Sequence, residues 1–169
     1  IRGMAQKGFK EVVLTGIHLS SYGKDLNEEK KPLLLELILT AARIPGIDRI
    51  RLGSLEPNII TESFVKALAD CEAFCPHFHL SLQSGSETVL KRMNRHYSPM
   101  EYLEGCNILR KYYEHPAITT DVIVGFPGET KENCHDNIVL NTVVEIRCAY
   151  DYFEYIDPLK NSFLVIKLL

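Results

Sequence analysis

The chain has 169 residues, of which 46% are hydrophobic and 24% charged, and its formal net charge is −3. This length and composition fit one globular domain with a sizeable core, and the sequence has no run of about 18 apolar residues that could span a membrane. The net charge does not indicate a nucleic-acid-binding protein. Five scattered cysteines are too few for a disulfide scaffold, which favours reduced thiols in a cytosolic protein.

Apolar strands alternate with amphipathic helices along the chain. Residues 2–10 read as the tail of a helix, and the β-branched run at residues 11–15 predicts the first strand. Helical spacing at residues 33–44 stops before Pro45-Gly46, and residues 49–52 predict the next strand.

Later in the chain, Thr61 and Ser98 are each predicted to cap a helix, because hydroxyl side chains satisfy free backbone N–H groups there. The remaining predicted elements are strand 77–82, helix 87–93, helix 99–113, strand 118–124, helix 130–146 and strand 149–156.

Repeated strand–helix units predict parallel strands joined by right-handed crossovers, in a doubly wound sheet or a β/α barrel. In residues 77–83 the apolar side chains Phe78, Leu80 and Leu82 alternate with polar ones. An internal strand of a doubly wound sheet is usually apolar on both faces. The polar face therefore favours a partial β/α barrel, with the helices covering the apolar face.

The segments that follow four predicted strands are rich in glycine and polar residues, and in β/α folds such strand ends form the functional site. Glycines allow a ligand to approach the backbone closely. Ser54, Glu56 and Gln83 supply donors and acceptors suited to ribose hydroxyls or an amino group. The alternative is that these segments are ordinary turns.

These segments also carry a family resemblance. In order and spacing they are similar to the radical S-adenosylmethionine (SAM) methylthiotransferases over about residues 5–135. The segments that carry it are TGIHLSSYG at 15–23, RIRLGSLEP at 49–57, HLSLQSGS at 79–86, LKRMNRHY at 90–97 and TTDVIVGFPGET at 119–130. Within the family, the chain most resembles enzymes that methylthiolate C2 of N6-threonylcarbamoyladenosine beside the tRNA anticodon.

The resemblance implies a TIM-like radical SAM barrel over residues 1–156, followed by a divergent tail at residues 157–169. It implies S-adenosyl-L-methionine and [4Fe–4S] clusters as cofactors, with the cluster ligands outside this chain. It also implies tRNA as substrate, flavodoxin or ferredoxin as electron donor, no membrane association, and a cytoplasmic, monomeric protein.

By position in the motifs, the resemblance assigns ten residues to cofactor binding. Thr15 and Gly16 match the segment that meets the SAM amino group, Gln83 and Ser84 match ribose contacts, and Arg95 matches an arginine aimed at the carboxylate. The other members of the set are Ser54, Glu56, Asp121, Ile123 and Gly125. Glu129 is left out, because the general pattern places a glutamate three residues after Gly125.

The chain departs from the family at the cluster loop, since CxxxCxxC is absent. Cys71 and Cys75 have the CxxxC spacing of that motif, but no third cysteine follows three residues after Cys75. The other cysteines are interpreted as small buried hydrophobic residues. The isolated chain is therefore expected to be inactive. Histidines 18, 77, 79 and 96 could bind zinc, but no cysteine or carboxylate falls at a helpful spacing.

Three functions remain open. The chain is a fragment of an active methylthiotransferase, a decayed barrel that still binds SAM or RNA, or an unrelated β/α metabolic enzyme such as an aldolase-like barrel. The last would need a Schiff-base lysine or metal ligands inside the barrel, and no predicted strand carries a lysine.

Overall fold

A computed structural model describes residues 1–26, 28 and 32–136, together with the backbone of residues 164–168. Its helices are Arg2–Gln6 (α1), Leu34–Ala42 (α2), Glu62–Ala69 (α3), Glu87–Arg92 (α4) and Pro99–Tyr112 (α5), and residues 131–136 are also helical. Its strands are Glu11–Leu14 (β1), Arg49–Leu52 (β2), Ser54–Leu55 (β3), His77–Leu80 (β4), Ala117–Val124 (β5) and Leu164–Leu168 (β6).

Both predicted helix caps are confirmed. The Thr61 side chain accepts a hydrogen bond from the Phe64 N–H at 3.3 Å and begins α3. Ser98 and Glu101 form a reciprocal capping box at the start of α5, with Pro99 at its first position. Each box partner satisfies a backbone N–H that the helix itself leaves free.

The strands form parallel pairs in chain order. β1 pairs with β2, β3 with β4 and β4 with β5, all parallel, and the order shows no reversal of the kind found in a doubly wound sheet. Gly53 separates β2 from β3, and its N–H donates to the Leu14 carbonyl at 2.7 Å. Parallel α/β architecture is therefore confirmed, whereas the closure of these strands into a partial barrel stays a prediction.

The two faces of the sheet differ as predicted. Phe78, Leu80 and Leu82 are fully buried on the face that the helices cover, where they join a continuous core with α2, α3 and α5. Burial of such side chains is the main favourable term in folding, at about 25 cal/mol per Å² of apolar area. The opposite face carries His77, His79 and other polar side chains.

β6 pairs antiparallel with β5, with Val122 opposite Ile166, so part of the predicted tail is a strand. The predicted helix beyond residue 136 and the predicted strand at 149–156 lie outside the described residues. Within the described ranges, no helix is long and apolar enough to cross a membrane.

Candidate functional site

The carboxyl ends of β1 to β5 meet at one edge of the sheet, which we call the mouth. Ser54 lies opposite His79 in register, and Gln83 forms an isolated parallel bridge with Val122. A Cβ added at Gly53 would lie 3.0 Å from the Thr15 hydroxyl, so the absence of a side chain lets the two strand ends approach each other. Strand pairing thus brings together segments that are far apart in the chain.

Glu56 is held by the loop that follows β1. Its backbone N–H donates to the Ser20 hydroxyl at 3.1 Å, and its carboxylate lies 3.3 Å from His18 Nε2. About 24% of the Glu56 side chain is exposed, which leaves it accessible from the mouth. The exposed residues Thr15 and Gly16 lie in the same loop.

The end of β4 has an unusual backbone. Gln83 adopts φ +67°, its N–H donates to the Asp121 carbonyl at 3.0 Å, and its own carbonyl accepts from Ile123 N–H at 2.8 Å. Ser84 is fully buried, and its hydroxyl accepts from the Ser86 N–H at 3.1 Å. The Ser84 hydroxyl is therefore used to build the turn, whereas the half-buried Gln83 side chain remains at the mouth.

The segment after β5 turns sharply at Gly125, which has φ +80°. The Glu129 carboxylate accepts from the N–H groups of Gly125 and Phe126 at 2.6 and 3.0 Å. Arg92 donates to the Gly128 carbonyl and so links this turn to α4. Spacing alone excluded Glu129 from the site, yet its carboxylate holds the turn that contains Gly125.

The polar face behind the mouth carries a small hydrogen-bonded group. His79 Nδ1 lies 2.9 Å from the Thr119 hydroxyl, and His79 Nε2 lies 3.5 Å from the Asp121 carboxylate. Both ring nitrogens of His79 thus have polar neighbours on β5. Among the described residues, no group of three histidine, cysteine or acidic side chains could hold a metal ion.

Arg95 and Tyr97 follow α4 in the chain. Tyr97 is 5% exposed, and within the described part of the chain neither its hydroxyl nor the buried Nε of Arg95 has a hydrogen-bond partner. Burial raises the pKa of Tyr97 to about 12, Arg95 opposes that shift, and Glu56 adds to it.

The cysteines of the described residues do not fit an iron–sulfur cluster. Cys106 is fully buried on α5, where burial raises its pKa to about 11, while a cluster ligand must be a thiolate. Cys71 and Cys75 both precede β4 in the chain, at the opposite end of that strand from the mouth. The partly exposed Glu56 carboxylate at the mouth carries the charge that suits an ammonium group, such as the one of SAM.

Comparison with known proteins matches residues 1–138 to the family described as the Radical SAM superfamily. The chain is 40% identical over 152 residues to a tRNA-2-methylthio-N(6)-dimethylallyladenosine synthase of Clostridium tetani (strain Massachusetts / E88), which covers 90% of this chain and 33% of that protein. Proteins of the same name from Thermoanaerobacter sp. (strain X514) and Acetivibrio thermocellus are 40% and 38% identical over the same length, or 32% and 31% of those proteins. The chain thus spans about a third of the length of these relatives.

Proposed function

Because this chain belongs to the radical SAM superfamily, we propose that it forms the SAM-binding part of a methylthiotransferase that modifies C2 of an N6-substituted adenosine in tRNA. The family implies SAM and a [4Fe–4S] cluster as cofactors, and the resemblance to radical SAM methylthiotransferases agrees with the names of the relatives. The family match leaves no support for an unrelated metabolic barrel.

The observation that carries this proposal is that strand pairing gathers the motif segments at the mouth, where Ser54 lies opposite His79 in register and Gln83 bridges Val122. The partly exposed Glu56 carboxylate there suits the ammonium of an amino acid, because charge-assisted hydrogen bonds are the strong ones. The motif resemblance assigns the carboxylate of SAM to Arg95. When bound, SAM supplies the radical chemistry of the family. The residues of this chain bind it, orient it and keep its amino-acid end fixed.

The cluster needs thiolates that this sequence does not place together, since CxxxCxxC is absent and the described cysteines are dispersed. We therefore propose that its ligands lie outside this chain and that the chain alone is inactive. A decayed barrel that binds SAM without supporting methylthiolation is the second candidate, favoured by the same missing motif.

Two tRNA nucleosides compete as the substrate. The motif resemblance favours N6-threonylcarbamoyladenosine, whereas the relatives are named for N6-dimethylallyladenosine. Both nucleosides are N6-substituted adenosines, and we therefore propose C2 of an N6-substituted adenosine as the position that is modified.

The test is to express the complete gene that encodes this chain in a host strain lacking its own tRNA methylthiotransferases, and to analyse tRNA nucleosides by mass spectrometry. Appearance of a 2-methylthio derivative of either nucleoside would support the proposal and identify the substrate. Arg95→Met should abolish the product, whereas Arg43→Met, an exposed arginine beyond α2, should leave it unchanged. SAM binding without any product would instead support the decayed barrel.

A further inference from the structure

The polar face of the sheet carries a chain of hydrogen-bonding side chains that ends next to the mouth. The Thr119 hydroxyl lies 3.5 Å from His77 Nε2 and 2.9 Å from His79 Nδ1. On the other side of the His79 ring, Nε2 lies 3.5 Å from the Asp121 carboxylate. The backbone carbonyl of Asp121 accepts from the Gln83 N–H, so the His79–Asp121 end of this chain lies beside the segments that form the mouth.

The chemistry of the Asp121 carboxylate fixes the direction of these hydrogen bonds. A carboxylate can only accept, so we assign the proton of the His79 ring to Nε2, which faces Asp121. Nδ1 of the neutral ring then accepts from the Thr119 hydroxyl. His79 and Asp121 thus present an N–H donor directly beside an acceptor.

This donor and this acceptor are only partly used by each other, and both can be reached from outside. Their separation of 3.5 Å exceeds that of an ordinary N–H···O hydrogen bond. Among the described residues, His79 Nε2 is the only polar contact of the Asp121 carboxylate. The Asp121 side chain is 31% exposed and the His79 side chain 13%. A ligand that carries an acceptor beside a donor would therefore gain a hydrogen bond from each of them.

The Hoogsteen edge of adenine has this pattern of groups. It presents the N7 acceptor beside the N6–H donor, and side chains that offer a donor next to an acceptor bind adenine there. An adenosine with one substituent on N6 keeps both groups, since one N6–H remains. C2 lies on the other side of the base and stays free to react. An enzyme that modifies a base has to receive it unstacked and hold it by its polar edge.

We propose that the His79–Asp121 pair binds the Hoogsteen edge of the target adenine, with His79 Nε2–H donating to N7 and the Asp121 carboxylate accepting from N6–H. His79 is then a substrate-binding residue, although it is not among the ten residues that the motifs assign, and Thr119 positions its ring. The motif resemblance gives Asp121 to the cofactor, whereas its contact with His79 assigns its carboxylate to the substrate. This inference deepens the proposed function and rests on it.

The experiment measures the affinity of the complete protein, with its cluster loaded, for two anticodon stem-loop RNAs. One carries the N6-substituted adenosine identified by the nucleoside analysis, and the other carries its 7-deaza analogue, in which a C–H group replaces N7. The unsubstituted protein should bind the 7-deaza RNA about tenfold more weakly, which corresponds to about 1.4 kcal/mol for one lost hydrogen bond. This comparison needs no protein variant.

Variants of His79 assign the hydrogen bond to N7. His79→Phe should bind both RNAs equally weakly, because it lacks the donor, whereas His79→Gln offers an amide N–H near the place of Nε2 and should restore part of the preference. His115→Phe is the matched control, because the His115 side chain is 90% exposed and precedes β5 at the end opposite the mouth. It should bind both RNAs like the unsubstituted protein. The affinity for S-adenosyl-L-homocysteine should be the same in all variants.

Equal affinity of the unsubstituted protein for the two RNAs would show that N7 is not bound. A preference for the N7-containing RNA that survives in His79→Phe would assign N7 to another group, and weaker binding of S-adenosyl-L-homocysteine by that variant would show that the pair holds the adenine of SAM instead. Each of these results overturns the inference while leaving the proposed function intact. Absence of any methylthio product from the unsubstituted protein would instead reject the proposed function itself, and the inference with it.

Discussion

Substitution of Thr120 tests how much two side-chain hydrogen bonds at the end of β4 contribute to the stability of the mouth. Its fully buried hydroxyl donates to the Leu80 carbonyl at 2.6 Å and accepts from the Leu82 N–H at 3.1 Å. It thus replaces regular strand pairing where β4 ends and the backbone turns toward Gln83. Thr120→Val keeps the shape of the side chain but leaves one buried donor and one buried acceptor without this partner.

Each buried polar group left unpaired costs about 1–3 kcal/mol, and a carbonyl tolerates this better than an N–H. We therefore expect Thr120→Val to lower the free energy of unfolding by roughly 2–3 kcal/mol, which in a domain of this size lowers the unfolding temperature by roughly 5–10 °C. Urea denaturation should show a lower midpoint with an unchanged slope, because the surface exposed on unfolding is the same.

Thr120→Ser is the matched control for this substitution. It keeps the hydroxyl and loses one buried methyl group, which costs about 1 kcal/mol. The predicted order of stability is unsubstituted protein, then Thr120→Ser, then Thr120→Val. A Thr120→Val protein as stable as the Thr120→Ser protein would refute the reasoning, since it would show that the two hydrogen bonds at the end of β4 contribute nothing.

Two further predictions concern charged side chains. Glu129→Ala removes the acceptor of the Gly125 N–H and should destabilise the protein by about 1–2 kcal/mol in urea denaturation. Glu129→Gln keeps an amide oxygen at this place and should lose about half as much stability. Equal losses of stability in the two variants would contradict the role of the acceptor. The hydrogen bond from Lys111 lowers the pKa of Glu62 below its ordinary value of 4.5. The pair therefore stabilises the fold above pH 4.5, and this stabilisation is lost as the pH falls through the lowered pKa of Glu62. In an NMR titration, Lys111→Met should move the Glu62 midpoint back up, and an unchanged midpoint would assign the shift to another group.

The parts of the fold that depend on nearby residues could be predicted from the sequence. Ser98 and Glu101 are three residues apart, so their capping box follows from local chemistry alone. The interruption between β2 and β3 was not predicted, because it depends on contact between Gly53 and Leu14, which lie far apart in the chain. The partner of β6 was not predicted either, since a short segment of four apolar residues and one lysine does not indicate which strand edge it will join.

The same difference between features set by nearby residues and features set by distant ones applies to the candidate site. The ordered motifs identified the family and the segments at the mouth, but they could not indicate what each side chain does there. Glu129 was rejected by its spacing, yet the turn at Gly125 folds back far enough for a carboxylate four residues later to reach the Gly125 N–H.

Hydrogen-bond satisfaction separates the side chains that build the mouth from those available to a ligand. The Ser84 hydroxyl and the Glu129 carboxylate both have backbone partners within the chain, so their first contribution is to hold the strand ends in place. The Glu56 side chain is 24% exposed and the Gln83 side chain is half-buried, so both are accessible to a ligand at the mouth. Ligand affinity should therefore be most sensitive to substitutions at Glu56 and Gln83, and stability to substitutions at Glu129 and Thr120.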